Sequence, residues 1–204
     1  MDIIDFNRWF LALFFASVAL FYAIRVTFLA KKTQETVTPI GPRGSLHFYV
    51  HIIFRVFRVA ILALCWVRLF WPETDNSIGI IDALWAPAVM VIGDGLMLSA
   101  MAGIIAINFY LKDRWRSGIP EKAPRELITS GPYRYSRNPM MLFVMVAQFG
   151  FFLALPSVFS LVCLLVGMVA VFIQASLEHK ALLATFGDLY RNYCAKTPRW
   201  LLVK

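Results

Sequence analysis

Five apolar runs, at 8–30, 46–71, 80–109, 140–155 and 157–177, occupy most of this 204-residue chain. A helix crosses a bilayer with about 20 apolar residues at about 1.5 Å rise each. Hydrophobic residues make up 60% of the chain and charged residues 16%, whereas a soluble domain carries about 25% charge. The apolar excess is gathered into runs, so the expected fold is an all-α, polytopic membrane protein with about five transmembrane helices. Pro156 separates the last two runs, which read as a tight C-terminal helical hairpin with short members. Asp2 and Asp5 precede the first run where a signal peptide would carry positive charge, and no small-residue cleavage site ends it. The first run therefore reads as a span.

Charge in the connecting segments sets the expected orientation. Lys31, Lys32 and Arg43 lie in one loop. A second, 111–138, holds Lys112, Arg114, Arg116, Lys122, Arg125, Arg134 and Arg137, and the tail holds Lys180, Arg191, Lys196, Arg199 and Lys204. Segment 72–79 carries only Glu73 and Asp75. Basic loops stay in the cytoplasm, which predicts an N-terminus outside and a cytoplasmic C-terminus. The net charge of +8 is explained by lipid head groups and topology. No motif or basic recognition helix points to nucleic acid. Cys65, Cys163 and Cys194 lack CxxC or zinc spacing and read as small buried residues, and no metal site is expected.

Polar residues also interrupt the second run. His47, His51, Arg55 and Arg58 fall at i, i+4, i+8 and i+11, one face of a helix. An intramembrane charge costs about 2.5–3.5 kcal/mol on insertion scales, so it marks a cavity or a partner. Asp94 is the candidate counter-ion. Two readings stand: an anionic headgroup or substrate site, or a structural Arg–Asp pair with other arginines snorkelling to the interface. The histidines read as hydrogen-bonded structural residues, since no carboxylate or cysteine completes a metal set.

Two segments do more than connect spans. In the first, Gly131-Pro132 makes a turn, and Tyr133, Arg134, Tyr135, Arg137 and Asn138 cluster just before Pro139, which suits the first turn of a helix. A helix N-terminus with guanidinium groups favours anions, and aromatic rings stabilise a cation such as a sulfonium. An interfacial Tyr/Arg belt is the other reading. In the second segment, 178–193 reads as one helix with Gly187 as its weak point and Pro198 beyond its end.

Gly-Pro-Tyr-Arg-Tyr-Ser-Arg-Asn-Pro-Met-Met at 131–141 resembles the Gly-Pro-Tyr-x-x-x-Arg-His-Pro-x-Tyr motif of integral-membrane methyltransferases. That group includes the isoprenylcysteine carboxyl methyltransferases and the phospholipid methyltransferases. The stretch from Glu178 through Phe186-Gly187, Tyr190, Tyr193 and Pro198-Arg199 is similar to their Glu-Glu-x-x-Leu-x-x-x-Phe-Gly-x-x-Tyr-x-x-Tyr segment followed by Pro-Arg, and Trp115 to their upstream tryptophan stretch. The likeness covers about 108–201. Asn138, Met141 and His179 stand where the family usually has histidine, tyrosine and a second glutamate. Asn138 donates and accepts hydrogen bonds but cannot titrate.

The resemblance implies N-terminal helices over 1–110 and a catalytic region over 111–204. It implies an S-adenosyl-L-methionine-dependent methyltransferase acting at the cytoplasmic face on a lipid-like or prenylated acceptor (a carboxylate, amine or thiol), with a small amphiphile as the other option and membrane lipids as further partners. Glu178 would pair with the cofactor ammonium, and Arg137 and Asn138 at the Pro139 helix start would hold its carboxylate. Tyr133, Tyr135, Tyr190 and Tyr193 would wall the pocket, and Arg199 would orient an anionic acceptor. Two other outcomes are compatible with the motifs: an NADPH-dependent reductase of the sterol-reductase-like type, and a non-catalytic protein that has kept the fold.

Overall fold

The structure is a computed structural model that describes residues 2–34, 36–119, 124 and 126–201. Lys122, Arg125 and Lys204, counted above among the loop charges, lie outside the described residues. The fold is all-helical, as expected. Helix α1 spans Ile3–Thr33, α2 Leu46–Phe70, α3 Pro87–Leu111, α4 Pro139–Ala154, α5 Val158–Phe186 and α6 Asp188–Lys196. The boundaries follow local chemistry. Asp2 accepts the first amide of α1, and Ser45 Oγ accepts the Phe48 amide at the head of α2. Pro87 and Pro139 open α3 and α4 where a missing N–H costs nothing. Ser157 and Ser160 form a reciprocal capping box at the start of α5.

Helices α1, α2, α3 and α5 are long and apolar enough to cross a membrane. Helix α4 is apolar but has 16 residues, about 24 Å of helix against a hydrocarbon core of about 30 Å. The five expected spans therefore become four full-length helices and one shorter partner. Two boundaries differ from expectation. Residues 80–86 are not part of α3: short 3-10 turns occupy Pro72–Ser77 and Asp82–Leu84, and Pro87 sets the helix start. Helix α5 is not a short hairpin member, because it runs 29 residues through Glu178 and His179 to Phe186. Polarity changes at Glu178, but no helix breaker occurs until Gly187, whose φ of 51° ends α5 and starts α6.

The antiparallel helices give the bundle two ends. At one, Arg68 and Arg8 share the Asp75 carboxylate at 2.5 and 2.7 Å. There too, the Ile81 amide donates to Pro156 O and the Val158 amide to Gly79 O, pinning the α4–α5 turn. At the other, Arg25 donates to Asn108 and to the Lys112 carbonyl, and the Ser117 amide donates to Val37 O. A cluster around Leu29, Val37, Ile107, Leu111 and Trp115 packs this second, basic end. Asp94 is not the counter-ion of Arg55 or Arg58. It accepts from Asn7 Nδ2 at 3.2 Å, in the first third of α3, whereas antiparallel packing keeps the two arginines nearer the other end. The buried ion pair uses Asp75 instead.

Helices α3 and α4 meet almost backbone to backbone. A Cβ added at Gly93 would sit 2.3 Å from the Ala154 amide nitrogen, and one at Gly150 would sit 2.9 Å from Gly93 O. Small residues permit this approach, which is how apolar helices associate without a hydrophobic driving force. Gly95, two residues along α3, faces open space. Gly93→Ala should therefore lower stability in detergent by about 1–3 kcal/mol through overpacking. Gly95→Ala should be neutral or stabilising by up to about 1 kcal/mol through helix propensity. Thermal unfolding of the two variants beside the parent checks the contrast, and equal effects would contradict it.

Candidate functional site

The turn before α4 begins at Gly131. Its φ is 58°, and an added Cβ would lie 2.5 Å from the Tyr110 ring, so both conformation and space require glycine. A 3-10 turn over Gly131–Arg134 follows. Residues in such a turn are about 120° apart, so Tyr133 and Tyr135 project to different sides. Tyr133 packs with the basic-end core, whereas Tyr135 is 65% exposed and stands outside the cluster described below.

The next residues are fastened to the tail. The Arg137 amide donates to Pro198 O at 3.0 Å. Ser136 Oγ donates to Arg199 O at 3.0 Å, and Asn138 Nδ2 donates to the same carbonyl at 3.3 Å. Ser136 Oγ also accepts the Asn138 amide at 3.1 Å. From α6, Tyr193 Oη donates to Tyr133 O at 2.6 Å. The two sequence segments thus become one structure, closed by backbone carbonyls that any residue could have supplied.

The last turns of α5 form the floor. Ser176 and His179, three apart, share a helix face, and Gln174 and Glu178, four apart, share the neighbouring one. Arg199 Nη2 donates to Ser176 Oγ at 3.0 Å. Arg137 Nη1 reaches Cys194 Sγ at 2.9 Å and His179 Nδ1 at 3.4 Å. A guanidinium only donates, so Nδ1 accepts and the neutral ring carries its proton on Nε2. Tyr190 Oη lies 3.2 Å from the same nitrogen. Glu178 accepts from Gln174 Nε2 at 2.9 Å.

Of the residues expected at a site, the structure brings together Tyr133, Arg137, Asn138, Pro139, Glu178, Tyr190, Tyr193 and Arg199. Burial pushes the phenols of Tyr133, Tyr190 and Tyr193 above their ordinary range, and the Glu178 carboxylate adds to the effect on Tyr133. All three are neutral hydrogen-bonding groups at neutral pH.

The cluster is incompletely satisfied. No carboxylate lies within 4 Å of Arg137 or Arg199, and no cation within 4 Å of Glu178, among the described residues. Nε of Arg137, Nε of Arg199 and Oε1 of Gln174 are buried without a hydrogen-bond partner. Buried polar atoms are normally paired, so two donors and one acceptor are left over between the start of α4 and the last turns of α5. Sequence reading missed Gln174, Ser176, Ser136 and Cys194. Gln174 and Glu178 at i, i+4 in an apolar run were visible as a signal. The other three are recognisable only from the fold.

Ser136→Ala removes two hydrogen bonds at a buried position and should lower stability by about 1–3 kcal/mol, whereas Tyr135→Ala, exposed, should stay within about 0.5 kcal/mol. Thermal unfolding in detergent reads both. Folding favours the neutral phenol at Tyr193, so that contribution is complete below about pH 10 and is lost above it. The parent should lose stability above about pH 10 more steeply than Tyr193→Phe.

The profile of the phospholipid methyltransferase family matches residues 82–188, just over half of the chain. The matched stretch runs from the 3-10 turn at Asp82–Leu84 through α3, the Gly131–Arg134 turn, α4 and α5 to the first residue of α6. No curated protein and no solved structure matches the chain. With four helices able to cross a membrane and a polar cluster at one end of the bundle, the chain belongs to the phospholipid methyltransferase family of membrane methyltransferases.

Proposed function

We propose that the cluster binds S-adenosyl-L-methionine and that the protein transfers its methyl group to a lipid-like or prenylated acceptor at the cytoplasmic face. The observation that carries this reading is the leftover charge and polarity: two guanidiniums without a carboxylate and one carboxylate without a cation, within one small cluster. The amino-acid end of the cofactor is a zwitterion of matching signs. When bound, the cofactor supplies an electrophilic methyl group on a sulfonium.

In this reading Glu178, held by Gln174, pairs with the ammonium. Arg137 offers its free Nε to the carboxylate, beside Asn138 at the start of α4. Tyr133, Tyr190 and Tyr193 wall the cofactor. Arg199, fixed through Ser176, faces the acceptor and orients its anionic group. Catalysis then consists of alignment and exclusion of water, since an in-line displacement needs little else from the protein. The acceptor lone pair would form its bond to the methyl carbon as the methyl–sulfur bond breaks to leave a neutral thioether; an ammonium acceptor would first give up a proton, and a carboxylate or thiolate would not need to.

The acceptor enters from the bilayer, because the cluster is built at the end of membrane-length helices. A C-terminus in the cytoplasm and an N-terminus outside follow from the basic residues gathered at this end. Residues 1–110 then act as the membrane frame and 111–204 as the catalytic region.

Calorimetry with S-adenosyl-L-methionine on detergent-purified protein tests the reading. The parent should bind saturably, and Glu178→Gln and Arg137→Ala should each bind at least about tenfold more weakly, the loss of one charged hydrogen bond. Unchanged affinity in Glu178→Gln would remove the ammonium assignment. Folded parent protein that does not bind would sink the cofactor assignment, with NADPH the next ligand to titrate.

A further inference from the structure

The face of α2 singled out by its sequence is not consumed by the methyl-transfer cluster. His51, Arg55 and Arg58 line a cavity of about 190 Å³ between α1 and α2, completed by Tyr22, Val26 and Thr27 of α1 and by Thr38. Arg58 Nε donates to the Phe54 carbonyl of its own helix at 3.2 Å, and its guanidinium carbon lies 5.0 Å from the Tyr22 ring centroid. Neither Arg55 nor Arg58 has a carboxylate within 4 Å among the described residues. Three acids of the bundle are engaged elsewhere: Asp94 by Asn7, Asp75 by Arg8 and Arg68, and Asp113 by Lys32. Nε2 of His51 is buried and unpartnered.

Arg55 and Arg58 follow His47 and His51 along α2 from its start at the basic end of the bundle. Both arginines are exposed on the helix surface, so they face the lipid side of the bundle. Two guanidiniums without a carboxylate, in one groove with a buried unpartnered imidazole nitrogen, suit an anion, and lipid head groups supply one. The lining offers guanidinium, imidazole and hydroxyl groups and no carboxylate, which suits a phosphodiester. The cavity holds a phosphate group but not a whole lipid. Beside it, Leu20, Ile24, Val56 and Val59 are exposed apolar surface along the same two helices, where acyl chains would lie.

We propose that this groove is a phosphate site for a membrane glycerophospholipid, held by Arg55 and Arg58. It adjoins the methyl-transfer end of the bundle through one wall. Tyr22 packs edge-on against Trp115 at 5.7 Å, and Trp115 Nε1 donates to Sδ of Met140, the residue after Pro139. The site stands on charge and geometry and does not depend on the cofactor assignment.

Native mass spectrometry of the full chain in detergent tests it, with phosphatidylethanolamine and phosphatidylglycerol as probes and diacylglycerol of the same chains as control. The parent should retain both phospholipids and bind diacylglycerol at least tenfold more weakly. The Arg55→Gln/Arg58→Gln double variant should bind the phospholipids at least tenfold more weakly, about 1.4 kcal/mol. Arg55→Lys/Arg58→Lys should keep most of the binding. Equal binding of diacylglycerol by the parent overturns the proposal without any variant, and so does undiminished phospholipid binding by the glutamine variant. If phospholipid methylation in vesicles then shows a raised KM with kcat unchanged in the glutamine variant, the bound lipid is the acceptor. If lipid binding falls and KM does not move, it is a resident lipid at the same site.

Discussion

The carbonyls of Pro198 and Arg199 hold the start of α4 in place. Without those contacts the 131–138 turn and the tail would be two solvated segments at one membrane surface. With them, Arg137 is turned toward α5 and α6, where it meets His179 and Cys194, and Arg199 is turned toward Ser176. Backbone acceptors suit this task. Their positions are set by the chain path rather than by rotamers, so two guanidiniums can be oriented without a carboxylate to neutralise them. That leaves their charge available to a ligand.

The anchoring end of the molecule makes this possible. The close approach of α3 and α4 at Gly93 and Gly150, and the pinning of the α4–α5 turn by 78–81, fix the short helix α4 between longer neighbours. Its far end, Pro139, is consequently carried to a defined depth beside the last turns of α5. Because α4 has only 16 residues, the 136–138 segment lies beside the last turns of α5, within reach of His179 through Arg137.

Polar residues within the bundle divide into two kinds. Arg68 and Arg8 share the Asp75 carboxylate, although both Nη atoms of Arg68 and Nε of Arg8 have no further partner, and Arg25 bonds Asn108. These groups tie helix ends together. Arg55, Arg58, Arg137, Arg199 and Glu178 lack opposite charges within reach among the described residues. Since an unpaired charge away from water is unfavourable, this second set is where ligands are to be expected. It falls in two places joined by Trp115 and Met140.

Much of this was legible in the chain. Apolar run lengths prescribe membrane helices, Pro139 and Ser157 mark where two of them start, and the Gly-Pro-Tyr and Phe-Gly motifs point to the family, whereas the apolar run at 80–109 begins ahead of α3, which starts at Pro87. These signals are local: run length, a missing amide hydrogen, a positive φ. The continuation of α5 past Glu178 was hidden, because a polar residue changes a helix's surroundings without ending it. The partner of Asp94 and the exposure of Tyr135 were hidden too. Which acid meets which arginine depends on helix depth and rotation, and which side of a turn a ring occupies depends on what packs beneath it. Such questions are decided between segments distant in sequence, as the stitching of 136–138 to 198–199 shows. The chain by itself determined the helices, their membrane character and the residues capable of chemistry. Only the tertiary structure decided which of those residues share a site and which charges are left without a partner, because proximity and desolvation arise when helices pack.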